Sequence, residues 1–412
     1  MSTLSPPTEQ ASNLVEMRRF LPEGTPEVVV HDAKPRRRLA ATPFKYRDPR
    51  SIQPRGWVYG FHYIRKFVSA TVAPGGVGKS SLGIVEALAM ATGRPLLGIA
   101  PRERVKVWLW NGEDPMEELE RRVGAAMLHY GIQPEDVEGW LFLDSGREME
   151  ILLAVQLPGG ATLNHPTIQE IQQTILDNDI GAVILDPFVS IHRVSENDNG
   201  MIDMVAKAIA GIADRTNCCF DLVHHVRKTN GGEVTVEDGR GAVALLGAVR
   251  AARAMNQMSQ DEADRWGVEN RRLHFRYFDG KANLAPPSEG STWFKMESVD
   301  LENGNAKHPS DRVGVVTRWE TPNAFDSVTM EQMHEVRHRV SEGKWRESSQ
   351  SREWVGYLVA EVVGLNPGEK ADKARIQTIL KTWFANKVLK VVTDKDAKGN
   401  PRPFVAAGDM QG

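Results

Sequence analysis

Cysteine is nearly absent. The 412-residue chain has two, Cys218 and Cys219, side by side. Neighbouring cysteines rarely bridge each other and offer no metal-ligand spacing, so a disulfide scaffold and a structural zinc module are excluded. The pair reads as two small buried strand residues, and the usage fits a reducing compartment, so a cytoplasmic protein is expected. No run is long and apolar enough to span a bilayer, and residues 1–10 are polar with prolines rather than an apolar signal core. No membrane partner is therefore expected. An excess of one charge is missing too: 51 Lys and Arg stand against 54 Asp and Glu, a net charge of -3. That excludes a basic nucleic-acid coat, and any nucleic-acid contact must come from local patches.

What is present is ordinary globular composition, 41% hydrophobic and 25% charged, at a length that suggests two or three units. Residues 1–54 lack periodicity and are rich in Pro, Ser, Glu and Arg, with the basic cluster Lys34, Arg36, Arg37, Arg38, Lys45, Arg47 and Arg50. They read as a flexible basic segment, either a solvated linker or a contact for nucleic acid or a partner. Over 55–300, short apolar runs at 67–72, 105–110, 140–143, 182–185 and 218–223 alternate with helical periodicity at 77–91, 115–131, 167–178 and 201–216. That alternation predicts an α/β core with a mostly parallel central sheet covered by helices. Later strands are expected at 271–277 and 292–296, and a linker at 301–329. From 330 to 412 three helical stretches precede a strand-turn-strand, which suggests a small winged-helix-like module.

The strand at 67–72 runs into Ala73, Pro74, Gly75, Gly76, Val77, Gly78, Lys79, Ser80 and Ser81, and an amphipathic helix follows. Strand, glycine-rich turn and helix start are what a phosphate loop requires. Glycines let backbone N–H groups close around phosphate oxygens, and the helix N-terminus adds its positive dipole end. Lys79 is placed to reach β- and γ-phosphates, and the Ser80 hydroxyl to hold Mg²⁺. The first position of the pattern is Ala73 rather than glycine, a departure a small residue tolerates.

Two further strands end in carboxylates. The strand at 105–110 runs into Asn111, Gly112, Glu113, Asp114 and Pro115. Residues just past a parallel strand face the ligand crevice, so Glu113 is the candidate general base. Asp114 followed by Pro115 fits a helix N-cap. The apolar strand at 182–185 ends in Asp186, the candidate metal carboxylate. Pro187 comes next rather than a second acid, which directs the search for the base to Glu113. The strand at 218–223 ends in His224 and His225, readable as a γ-phosphate sensor, a hydrogen-bonded loop element, or metal ligands without suitably spaced partners.

These blocks in this order resemble the RepA-like (AAA_25-type) family of RecA-fold ATPases, whose type member is a hexameric replicative helicase of broad-host-range plasmids. The matching residues are 73–80, the turn 112–115, Asp186-Pro187-Phe188 with Glu196 to Asn199, His224 to Lys228, and Arg240 to Arg250, within about 55–300. The resemblance implies a RecA-like phosphate-loop core and a homo-oligomeric ring of six with ATP and Mg²⁺ between neighbours. It implies Lys79 and Ser80 on phosphate and metal, Glu113 as base, Asp186 on metal, and His225 or His224 as sensor. It also implies an arginine acting from the next subunit, Arg250 first and Arg240 second. In such a ring the loops after Asp186 and His225 face the channel, so Arg193, Arg227 and Lys228 are the candidate contacts for single-stranded DNA. Neither loop interleaves aromatics with its cations, so base stacking there is not indicated. The function implied is an ATP-driven DNA motor. The alternative is a non-motor ATPase switch that controls assembly or recruits a replication partner, with the C-terminal module as the docking element.

Overall fold

The structure, a computed structural model, describes residues 40–158, 160–226, 232–239, 241–286, 290–396 and 399–409. The chain divides into two compact units, Met1–Pro54 and Arg55–Gly412. In the described part of the first, Asp48 caps a short 3-10 turn, Pro49–Ser51, by accepting from the Arg50 N–H. Phe44 and Tyr46 of this segment are exposed. The arginines and lysine at 34–38 lie outside the described residues.

The second unit is built on a central sheet. Among the described residues its strands are β1 (Val68–Ala73), β2 (Lys106–Asn111), β3 (Leu141–Ser145), β4 (Ile180–Asp186), β5 (Cys219–His225), β6 (Ala251–Gln257), β7 (His274–Ala282), β8 (Thr292–Asp300) and β9 (Arg312–Arg318). Their order is β9-β8-β7-β6-β1-β5-β4-β2-β3. The six strands from β6 to β3 pair in parallel, and β7, β8 and β9 extend the sheet antiparallel. This is the expected α/β architecture, a mostly parallel central sheet covered by helices.

Every residue of β1 and β4 is buried, which is why both read as unbroken apolar runs: a parallel strand in mid-sheet is covered on both faces. Side chains still alternate. Val107 and Leu109 of β2 join Ala182 and Ile184 of β4 in a core beneath helices α1 (Lys79–Thr92) and α2 (Met116–Tyr130). Trp108 and Trp110 face the other way, with Val183 and Leu185, against α3 (His165–Asn178) and α4 (Asn199–Thr216). The two cysteines are free and buried, as expected, and burial pushes the Cys219 thiol up to about 12.

One expectation needs correcting. Residues 312–318 fall within the expected linker, but they form β9, paired to β8 from Phe294↔Arg318 to Asp300↔Arg312. The edge strands curl over α1: Val315 and Val316 pack in the same core as Ile84 and Val85, and the Tyr130 hydroxyl of α2 donates to the Val316 carbonyl at 2.6 Å. Two strands outside the central sheet, Ala154–Leu157 and Gly160–Leu163, pair with each other, and the first pairs in parallel with His192–Arg193. Helix α5 (Gln260–Trp266) follows β6.

Beyond β9, helices α6 (Met330–Glu342), α7 (Val355–Val363) and α8 (Lys370–Ala385) precede the antiparallel ribbon β10 (Leu389–Lys395) and β11 (Pro401–Ala407). Their own core gathers Val336, Trp354, Leu358, Ile379 and Trp383. Helix α8 meets α5 through the pair Lys370–Asp264, 2.6 Å.

Candidate functional site

Parallel pairing brings the C-terminal ends of four neighbouring strands together. His225 is in register with Ala73, and Asn111 with Asp186. The crevice beyond such ends is where an open α/β sheet takes its ligand. From Ala73 the chain turns through Gly76 (φ 77°) and Gly78 (φ 104°), left-handed positions that favour glycine. Gly78 is also the cap residue before α1, and a Cβ there would approach Phe275 to 3.2 Å.

The turn points its charges inward. Lys79 is buried, and its Nζ donates to the Pro74 carbonyl at 2.9 Å and lies 3.1 Å from His225 Nδ1. An ammonium only donates, so Nδ1 accepts and the imidazole is neutral. Burial, Lys79 and His224 push His225 down to about 4. Burial also lowers Lys79, against the opposing pull of Asp186 and Glu113. Asp186 is buried, and desolvation raises its carboxyl to about 6 although the Ser80 hydroxyl and Lys79 favour the anion.

Glu113 is presented by a turn rather than a helix. The Asn111 carboxamide oxygen accepts from the N–H groups of Glu113 and Asp114 at 2.9 and 2.8 Å, and Gly112 N–H donates to the Asp186 carbonyl. Gly112 is required by close approach, since a Cβ would meet Ser190 at 2.5 Å. The Glu113 side chain is 58% exposed and sits 3.8 Å from His225 Nε2. Asp114 departs from the expected helix cap. Pro115 takes the cap position, and Asp114 instead pairs with Arg122 at 2.8 Å while its carbonyl accepts from Ser145.

Lys79, Ser80, Glu113, Asp114 and His225 line a cleft of about 480 Å³ that also includes Arg122, Met296 and Arg312. Sequence reasoning missed both arginines. Arg122 carried a signal, lying four residues after Glu118 on α2, with which it pairs at 2.9 Å. Arg312 carried none, because β9 was not recognised.

The other expected residues fall in different places. Strand alternation turns His224 away from the cleft, buried beside Phe188 with ring centroids 5.9 Å apart. Arg250 stands where β6 begins, its N–H donating to the Val68 carbonyl, at the opposite end of the sheet from Lys79. His192 is buried against Phe188, and Arg193 is exposed but paired with Glu150 at 2.9 Å. Arg227, Lys228 and Arg240 lie outside the described residues.

A magnesium triphosphate fits what is present. Cβ atoms added at Gly75 and Gly76 would meet nothing within 4 Å, so the loop backbone is open to a ligand. Lys79 meanwhile spends its donors on a loop carbonyl and an imidazole. A desolvated Asp186 beside the Ser80 hydroxyl is an oxygen pair short of a cation.

Residues 33–231, just under half of the chain, match the family model described as an AAA domain. Among solved structures, the crystal structure of the RadB recombinase is similar at 12% identity and a TM-score of 0.40, over 63% of this chain and 93% of that one. Among the described residues no helix is long and apolar enough to cross a membrane.

Proposed function

We propose that this protein, whose residues 33–231 match the AAA domain model, is a RecA-fold phosphate-loop NTPase and an ATP-driven motor on single-stranded DNA, a ring-forming enzyme akin to replicative helicases. The observation that carries the reading is that Lys79 and Glu113 line one cleft and that the buried Asp186 acts electrostatically on Lys79 beside it.

Bound ATP with Mg²⁺ supplies the scissile phosphoryl group and the metal's charge. The protein's part is positioning and electrostatics. Lys79 exchanges the Pro74 carbonyl for phosphate oxygens. Ser80 and Asp186 offer the oxygen ligands that suit magnesium. Glu113, exposed at the mouth, accepts the proton of the attacking water. His225 lies between Lys79 and Glu113, at 3.1 and 3.8 Å, so loss of the γ-phosphate is felt by the ring that touches both. Arg250, remote from the phosphate loop of its own subunit, is the first candidate to act on a neighbour's site, with Arg240 the second. Arg193, Arg227 and Lys228 would track the DNA backbone, and the C-terminal helices and ribbon, read as a winged-helix-like module, would dock a replication partner.

One observation favours the non-motor switch. Arg193, the channel candidate of the first loop, is already paired with Glu150, which leaves little free charge there for a DNA backbone. ATP turnover with and without single-stranded DNA, alongside mass measurement with a non-hydrolysable ATP analogue, separates the readings. Stimulation by DNA with strand separation supports the motor. Slow, DNA-indifferent hydrolysis with nucleotide-dependent assembly selects the switch.

A further inference from the structure

The Glu113 side chain is more than half exposed, so packing does not aim it. Its direction comes from the backbone of the turn that carries it, and the neighbouring strand supplies the grip. β2 and β3 pair in parallel with Asn111 in register with Ser145, so the two strands end side by side. The residues that leave β3, Ser145 to Arg147, lie against the turn 111–114.

The hydrogen bonds that join the two turns end on backbone carbonyls of the Glu113 turn. Gly146 N–H donates to the Asn111 carbonyl at 2.7 Å, the Ser145 hydroxyl to the Asp114 carbonyl at 2.6 Å, and Arg147 Nε to the Glu113 carbonyl at 2.7 Å. The Ser145 hydroxyl also accepts from the Arg147 N–H at 3.2 Å, so one side chain ties both turns. The backbones themselves touch: a Cβ at Gly146 would come within 2.8 Å of Gly112 Cα.

Both backbone groups of Glu113 are therefore held. Its N–H is bound by the Asn111 carboxamide, and its carbonyl by Arg147. Fixing both peptides of a residue fixes its backbone dihedrals, and with them the direction in which its side chain leaves the chain. Arg147 is the part of this grip that matters least to the fold, because it is exposed and an exposed side chain adds little stability. Its bond nevertheless ends on the peptide of the residue that must aim a carboxylate at a water, where a misplacement of about 1 Å is costly.

We infer that Arg147 is a positioning residue for hydrolysis: by holding the Glu113 carbonyl it sets where the Glu113 carboxylate stands over the attacking water. It takes no part in holding the nucleotide, since it is not among the residues that line the cleft. The inference rests on the reading of Glu113 as the general base.

The test is ATP hydrolysis by the full-length protein, with ATP affinity read by fluorescence titration and folding by the thermal midpoint. Arg147→Ala should lower kcat about 10- to 100-fold, the scale of a misplaced catalytic group, while ATP affinity and the thermal midpoint stay at their wild-type values. In Glu113→Gln, where no base remains to be aimed, adding Arg147→Ala should lower the residual rate no further. Three results overturn the inference: an Arg147→Ala enzyme at full speed, one whose affinity and midpoint fall along with its rate, or a second loss of the same size in the Glu113→Gln background. Absence of turnover in the wild type, or wild-type turnover by Glu113→Gln alone, is a different failure. It removes the base assignment, and the inference with it.

Discussion

Helix α1 carries charge at two places, treated in opposite ways. At its start, Lys79 and Glu113 border an open cleft with Asp186 buried nearby, and Lys79 and Asp186 are shifted by burial that their neighbours offset only in part. Two turns further on, Glu86 is locked to Arg253 in a network that also holds Asp221, Thr71 and His62. Both regions bury charge. In the network, protein partners settle the charge; in the cleft, the settlement is left to something that binds. Incomplete compensation marks the functional end of the helix, and completed compensation marks the structural one.

That comparison breaks most decisively if activity and stability fail to separate. Lys79→Ala should remove ATP turnover entirely while leaving the thermal midpoint unchanged or slightly raised; a variant that unfolds would place Lys79 with the structural charges. Glu113→Gln should lower turnover by about 10²- to 10⁴-fold, the span of general-base catalysis, with ATP affinity kept in a filter-binding or fluorescence titration. Loss of ATP binding instead would give Glu113 a structural task.

On the network side, Arg253→Met removes both guanidinium bonds from the buried Glu86 carboxylate and should cost about 3–5 kcal/mol in denaturant unfolding. A cost near zero would erase the contrast. Asp186→Asn tests the cleft side in the same currency. A carboxyl raised to about 6 is ionised at pH 7 at the fold's expense, so neutralising it in metal-free buffer should stabilise by on the order of 2–3 kcal/mol. A destabilised variant would show that the anion is already compensated.

The gentlest test is pH. Burial opposes ionisation of Asp221, but His62, Arg253 and Thr71 outweigh it and hold the carboxyl below its usual range. A depressed folded pKa means that the unfolded chain binds more protons in acid. The stabilisation is therefore complete above the ordinary carboxylate pKa of about 4 and disappears as pH falls through the folded value. Asp186, raised, has the opposite sign: the fold loses stability as pH climbs from about 4 through 6. Unfolding midpoints from pH 3 to 7 should show a shallower acid limb in Asp221→Asn and a flatter slope near pH 5 in Asp186→Asn.

How much of this was legible in the sequence follows from the same physics. The phosphate loop and the strand leading to Asp186 are local patterns, and doubly buried strands announce themselves as apolar runs. The choice between His224 and His225 was open because it depends on which sheet face carries α1, and strand alternation then put His225 at the cleft. Arg312–Arg318 was missed because Gly314 and the charged ends interrupt its apolar pattern, and its pairing with β8 is tertiary. The buried network was invisible for a related reason: Thr71 and Arg253 are 182 residues apart, and neither shows its partner locally.

The curl of β9 over α1 has a consequence for the order in which the chain is made. A ribosome finishes Lys79 more than two hundred residues before it reaches Val315, the residue that packs beside Ile84 and Val85. Throughout that interval the flank of α1 facing β9 lacks its cover. A nascent chain halted near residue 300 should therefore hold an incomplete phosphate cleft and a sticky apolar flank, and arrest-and-release experiments would find nucleotide protection arriving only after the last edge strand has left the exit tunnel.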